Sequence, residues 1–222
     1  SYLVFARKWR PQTFDDVVGQ DNVVQTLKNA IKNNRLAHAY IFAGPRGVGK
    51  TSTARILAKS LNCQGVNNLN PCNKCPSCLE IAGSRSLDVI EIDGASNRGI
   101  DDIRVLRENV KFSPAGGKFK IYIIDEVHQI TSEGFNALLK TLEEPPPYVK
   151  FIFATTHPQK IPSTIISRCQ FLEFRRISNL NIIKQLREIA LAEKIEVRDD
   201  VLLALAKASD GSMRDAESIL DE

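Results

Sequence analysis

The chain has 222 residues, 43% of them hydrophobic and 25% charged, with a formal net charge of +4. That length suits one or two globular domains, and no apolar run approaches the roughly 20 residues of a membrane span. The charge is mildly basic, compatible with a nucleic-acid partner but too small to argue for one alone.

Residues Ser1 to Arg10 lack the apolar core of a signal peptide, so a cytoplasmic protein is expected. The stretch from Tyr2 to Gly19 mixes aromatic, basic and β-branched residues, and Pro11 prevents one continuous helix. It reads either as a packed N-terminal arm or as a segment lying over a nucleotide base, with Val17 and Val18 in apolar contact. Val23, Val24, Leu27, Ala30 and Ile31 then fall on one face of a helix over 20–33.

An apolar strand over 38–43 leads into Gly44-Pro45-Arg46-Gly47-Val48-Gly49-Lys50-Thr51, and a helical run follows. This is the G-x-x-x-x-G-K-T phosphate-binding loop in its strand–loop–helix setting. Glycines let backbone N–H groups turn inward, and with the new helix N-terminus they form an anion site. Lys50 supplies a point charge for the β- and γ-phosphates, and the Thr51 hydroxyl is a ligand for Mg²⁺. Gly44 through Ser52 are therefore the candidate phosphate contacts.

Cys63, Cys72, Cys75 and Cys78 follow, the last three forming two C-x-x-C steps that share Cys75. Four thiolates at this spacing suit a closed tetrahedral Zn²⁺ site, structural rather than catalytic. Two disulfides or four thiols are the rival readings. An apolar strand over 87–92 ends at Asp93-Gly94, and a helix with Ile100, Ile103, Leu106 and Val110 on one face follows. Ser96 and Arg98 are expected at the N-terminus of that helix, as a solvated face or as a contact to a phosphate backbone.

Phe119 to Glu126 is an apolar strand ending in two acids, the Walker B pattern. Strand alternation would send Asp125 and Glu126 to different faces, with Asp125 holding Mg²⁺ and Glu126 polarising the attacking water. A helix over 131–143 stops at Pro145 to Pro147, and a strand over 150–155 ends in Thr155-Thr156-His157. A polar residue there can sense a γ-phosphate; His157 reads as a surface residue. A short segment ends in Ser167-Arg168-Cys169 before a last strand over 170–174, with Cys169 a small buried side chain. Three helices without intervening strands, over 179–194, 199–207 and 212–220, make a small helical domain.

The expected architecture is a three-layer α/β core with a largely parallel sheet. A nucleotide-binding domain covers 1–176, including a zinc module at 63–78, and a helical domain covers 177–222.

These residues carry a resemblance. Arg7-Lys8-Trp9-Arg10-Pro11 with Val17-Val18-Gly19-Gln20, the P-loop, the four-cysteine insertion, Asp125-Glu126-Val127-His128 and Ser167-Arg168-Cys169 together resemble the gamma/tau family of ATPase subunits of the bacterial DNA polymerase III clamp loader. The likeness covers essentially the whole chain. It implies an AAA+ P-loop NTPase with a five-stranded parallel sheet, a zinc-binding insertion and a helical lid. It implies that Ala6, Arg7, Arg10 and Val18 surround adenine, that Thr156 or Thr155 is sensor 1, and that Arg214 is the lid arginine reaching the γ-phosphate. Arg168 would be an arginine finger acting in trans on a neighbour's ATP.

The implied cofactors are ATP/ADP, Mg²⁺ and Zn²⁺. The implied partners are delta, delta-prime and further gamma/tau subunits, the sliding clamp and primer–template DNA. The implied setting is the bacterial cytoplasm at the nucleoid, without membrane. Family members continue into a collar domain, so the chain reads as a fragment. A hetero-oligomer is expected at full length, and a monomer for the fragment alone. A different AAA+ remodeller, such as a helicase loader, and a scaffold with structural nucleotide are the alternatives.

Overall fold

A computed structural model describes residues 1–65 and 69–222. Residues 66–68, inside the expected 63–78 module, lie outside the described residues. Five strands form one sheet: β1 (Ala39–Ala43), β2 (Val89–Asp93), β3 (Lys120–Asp125), β4 (Val149–Thr155) and β5 (Gln170–Glu173). Their order is β2-β3-β4-β1-β5, and every pairing is parallel. Parallel strands need crossover helices, which cover both faces and allow continuous apolar strands. All residues of β1 and β4 are accordingly buried.

Alternation along the central strands builds two cores. Tyr40, Phe42, Ile121, Ile123 and Ile152 face one side, where they meet Leu27 of α2 (Asp21–Lys32) and Ile56 and Leu57 of α3 (Lys50–Asn62). Ile41, Tyr122, Ile124, Phe151 and Phe153 face the other, where they meet Ile103 and Leu106 of a helix over Ile100–Val110 and Phe135 and Leu138 of another over Ser132–Glu143. Helix α3 is buried nearly all round its circumference, Lys59 included.

The strand over 87–92 starts later and is wetter than its apolar sequence suggests. β2 begins at Val89, lies on the sheet edge, and Leu87 is exposed. The following helix begins only at Ile100, where the Asp102 carboxylate accepts the Gly99 N–H at 3.3 Å. Ser96 and Arg98 therefore occupy the preceding loop rather than the helix. Ser96 Oγ donates to Asp93 at 3.1 Å, and Arg98 Nε donates to the Gln129 carbonyl at 3.0 Å.

Past β5, the chain forms three helices over Asn179–Ala192, Asp199–Ser209 and Met213–Asp221. Ser178 and Ser212 cap the first and third, accepting the N–H of Asn181 and Asp215, each at 3.2 Å. Ile182, Leu186, Leu202, Ala206 and Ala216 join the same core as Phe42 and Leu57. The helical unit is therefore packed onto the α3 side of the sheet and not tethered by a linker alone.

Candidate functional site

The C-terminal ends of β1, β3 and β4 meet at one place, the usual ligand position of an open parallel sheet. Gly44 N–H donates to the Thr155 carbonyl at 3.1 Å, tying the start of the P-loop to the end of β4. Gly47 and Gly49 have φ of +75° and +104°, which L side chains rarely adopt. A Cβ at Gly47 would also collide with Ser212 and come within 3.3 Å of Arg214. Lys50 is buried and donates to the carbonyls of Gly44 and Pro45 at 2.7 and 2.5 Å. Its burial pushes its pKa down to about 8; Asp125 and Glu126 oppose the shift and Arg214 adds to it. An incoming phosphate would favour the charged ammonium.

Thr51 Oγ1 donates to Asp125 Oδ2 at 3.2 Å. This hydroxyl and carboxylate are hard oxygen donors at the α3 N-terminus, a set that fits Mg²⁺. Glu126 does not continue the strand. It sits in a left-handed turn with φ 49° and ψ 42°, so its divergence from Asp125 comes from that turn rather than from strand alternation. Glu126 Oε2 lies 3.3 Å from His128 Nε2. The buried His128 shares a 2.8 Å hydrogen bond through Nδ1 with Thr155 Oγ1, and burial lowers its pKa. A neutral imidazole thus links the Walker B glutamate to the end of β4. Thr155 is wholly buried and spent on this link, leaving Thr156 as the threonine that lines the cleft.

The cleft opens to solvent at its mouth. Its floor is the P-loop from Arg46 to Ser52, with Asp125, Glu126 and Thr156 beside it. Its far wall is Met213, Arg214 and Glu217 of the last helix, and the Arg214 N–H donates to the Gly47 carbonyl at 3.4 Å. Ala6, Trp9, Arg10, Val17 and Val18 close the remaining side.

This N-terminal segment folds as α1 (Phe5–Lys8) and is held to the helical unit. Trp9 Nε1 donates to Glu193 at 3.0 Å, Lys8 pairs with Glu193 at 2.5 Å, and Tyr2 and the Phe5 N–H both donate to Asp221. Arg7 is exposed and, unlike Ala6 and Arg10, lies outside the cleft lining.

Sequence reasoning did not give Gln20 a role. Gln20 is 4% exposed; its amide donates to the carbonyls of Val48 and Arg175 at 3.2 and 2.7 Å and accepts the Arg175 N–H at 3.0 Å. It locks the P-loop to the chain leaving β5. Glu217 was also missed: a charged residue on an amphipathic helix reads as solvent-facing.

Cys63 caps the C-terminus of α3, and Cys75 caps the short helix α4 (Pro76–Ala82), which carries Cys78 in its first turn. The four ligand sulfurs lie within 4.8 Å of one another, and Cys72 Sγ is 4.0 Å from Cys78 Sγ. Tetrahedral Zn–S bonds of about 2.3 Å require sulfurs about 3.8 Å apart, whereas a disulfide needs about 2 Å. Lys74 and Cys75 N–H groups donate to Cys72 Sγ at 3.4 and 3.2 Å and push its pKa down to about 6, while burial raises that of Cys78. The arrangement could hold one closed zinc ion.

Arg168 lies away from the cleft. It pairs with Glu143 at 3.0 Å and donates to the Thr164 carbonyl at 2.7 Å. Cys169 is mostly buried, its thiol donating to the Ile165 carbonyl at 3.2 Å, and His157 is exposed.

The parallel sheet, the glycine loop, the Asp-Glu strand end and the helical lid define a P-loop NTPase fold of the AAA+ type. The fold resembles the Thermotoga maritima RuvB Holliday junction branch migration motor, with a TM-score of 0.69 at 20% identity over 96% of this chain and 64% of that one. A family model for the DNA polymerase III delta subunit matches residues 19–178, and one for the DNA polymerase III clamp loader subunit ATPase lid domain matches residues 181–222. The chain belongs to the family of DNA polymerase III clamp-loader subunits. It is 51% identical to the tau subunit of Bacillus subtilis, and the match takes in 100% of this chain and 39% of that protein. For Escherichia coli tau the values are 52%, 100% and 34%, and for Mycoplasma genitalium gamma/tau 47%, 100% and 37%. The chain thus spans about a third of the length of these relatives. Among the described residues, no helix is long and apolar enough to cross a membrane.

Proposed function

We propose that this chain is the ATP-hydrolysing motor portion of a bacterial DNA polymerase III clamp loader, which opens the sliding clamp and loads it onto primed DNA. The observation that carries the reading is the closure of the P-loop by the lid, with Arg214 N–H on the Gly47 carbonyl and Asp125, Glu126 and Thr156 along the same cleft. The names of the tau and gamma/tau relatives supply the setting.

In this reading residues 1–176 hold the nucleotide and 177–222 form the lid. Backbone amides from Gly44 to Ser52 cradle the phosphates, and Lys50 neutralises β- and γ-phosphate charge. Thr51 and Asp125 would hold Mg²⁺, which, when bound, offsets phosphate charge. Glu126 orients water for in-line attack, Thr156 senses the γ-phosphate, and Arg214 reports its presence to the lid. Ala6, Arg10 and Val18 border the base. Arg168, outside its own cleft, serves the ATP of a neighbouring subunit. Zinc on Cys63, Cys72, Cys75 and Cys78 is structural. Partners are delta, delta-prime and further gamma/tau subunits, the clamp and primer–template DNA, with Ser96 and Arg98 available to the DNA backbone. The site of action is the cytoplasm, at the nucleoid.

The test is ATP turnover in a reconstituted loader. Turnover should rise when clamp and primed DNA are added together. A rate indifferent to both, with clamp loading unaffected by Glu126→Gln, would overturn the reading.

A further inference from the structure

Glu217 lines the nucleotide cleft, yet the phosphate chemistry has no use for it. It lies on the last helix one turn beyond Arg214, and 5% of it is exposed. Among the described residues its carboxyl makes no hydrogen bond or ion pair, and burial alone shifts its pKa. A mostly buried carboxyl that opens into the cleft with no protein partner calls for an explanation.

Its position supplies one. Arg214 stands over Gly47, at the phosphate end of the cleft. Glu217 shares a helical stripe with Met213, four residues earlier. Met213 packs against the core that includes Val17 and Ile177, which also line the cleft. An apolar slot one turn away from the phosphates is where a flat base fits.

We propose that Glu217 reads the base of the bound nucleotide, pairing its carboxyl with the amino and ring-nitrogen edge of adenine. This deepens the ATP reading above and rests on it. Burial pushes the Glu217 pKa up to about 8, so the carboxyl is protonated at neutral pH. A protonated carboxyl offers one O–H donor beside one carbonyl acceptor. On its N7 edge adenine presents an amino donor beside a ring-nitrogen acceptor, whereas guanine presents two acceptors there, N7 and O6, and can form only one bond with the acid. The acid therefore satisfies adenine with two bonds. The buried carboxyl finds in the ligand the partner that the chain does not provide.

The experiment measures binding of ATP, GTP and purine riboside triphosphate, which lacks the 6-amino group, to the 222-residue chain. Wild type should favour ATP over both. Glu217→Leu, folded by its melting curve, should lose roughly tenfold or more of the ATP-over-GTP preference. Glu217→Gln keeps a donor and an acceptor and should stay within about threefold of wild type. An unchanged ATP-to-GTP ratio in folded Glu217→Leu overturns the assignment. If that variant does not fold, equal affinity of wild type for ATP and purine riboside triphosphate overturns it equally. Wild type that binds none of the three would overturn the ATP reading itself, a result distinct from either.

Discussion

The cleft around Lys50 and the cluster around Cys75 sit at opposite ends of helix α3, and they are built on opposite principles. The cysteine cluster is closed. Four sulfurs converge from one stretch of chain to within 4.8 Å of one another, and backbone amides donate to them. The cleft is open and assembled from distant segments: an N-terminal arm, the P-loop, two strand ends and a lid helix. Arg168 lies outside it, paired with Glu143. The difference separates a part that only has to hold its shape from one that has to change with its ligand and its neighbours.

The largest test of that contrast is Arg168→Ala. In the assembled loader it should lower turnover by roughly 10³-fold or more, the usual worth of an arginine finger. In the isolated chain the same change should leave the slow basal rate within about twofold, because the residue does not reach its own cleft; steady-state phosphate release checks both. Glu126→Gln comes next, with turnover falling roughly 10²–10⁴-fold while ATP binding is retained. Lys50→Ala should weaken both binding and turnover, and comparing the two variants by equilibrium binding separates chemistry from affinity.

The closed end is tested by metal removal. Elemental analysis should find one zinc per chain, and chelation or Cys75→Ser should lower the melting temperature by roughly 5–10 °C. ATP binding by the remaining folded protein should persist. Unchanged melting after complete removal would contradict a structural role.

A further effect is pH-dependent. The folded-state pKa of Glu217 is raised to about 8 from an ordinary 4.5, so the folded chain holds a proton that the unfolded chain releases. Stability contributed by Glu217 is present below the unfolded value and lost as pH rises through about 8. Melting of wild type relative to Glu217→Gln should therefore decline from pH 5 to pH 9. A constant difference across that range would place the carboxyl in water.

Much of this was legible because it rests on periodicity and on residues with one job. The P-loop glycines, the Asp125-Glu126 strand end and the cysteine spacing each need particular residue types at fixed intervals. What escaped depends on tertiary contact. α1 is a single turn, too short to carry a period, and exists because Trp9 and Lys8 are held by Glu193, which lies 184 residues beyond Trp9. The stretch over 87–92 read as an apolar strand, but burial depends on sheet order, and the edge left Leu87 in water. Glu126 was read as part of a strand because nothing in an Asp-Glu pair announces a left-handed turn. Arg7 was drawn into the base pocket by its neighbours, while Glu217 was left outside by its charge. In both cases local sequence cannot say which side of a helix another segment will cover.

The central claim is that the P-loop cleft is half of an intersubunit site. Mixed assembly tests it most directly: loaders reconstituted from Lys50→Ala chains and Arg168→Ala chains, each inactive alone, and assayed for ATP turnover. If Arg168 acts on the neighbouring cleft, mixing should restore turnover, because some interfaces then pair an intact Lys50 with an intact Arg168. If mixed loaders stay as inactive as either parent while chain exchange is verified, Arg168 does not act across the interface and the account is wrong.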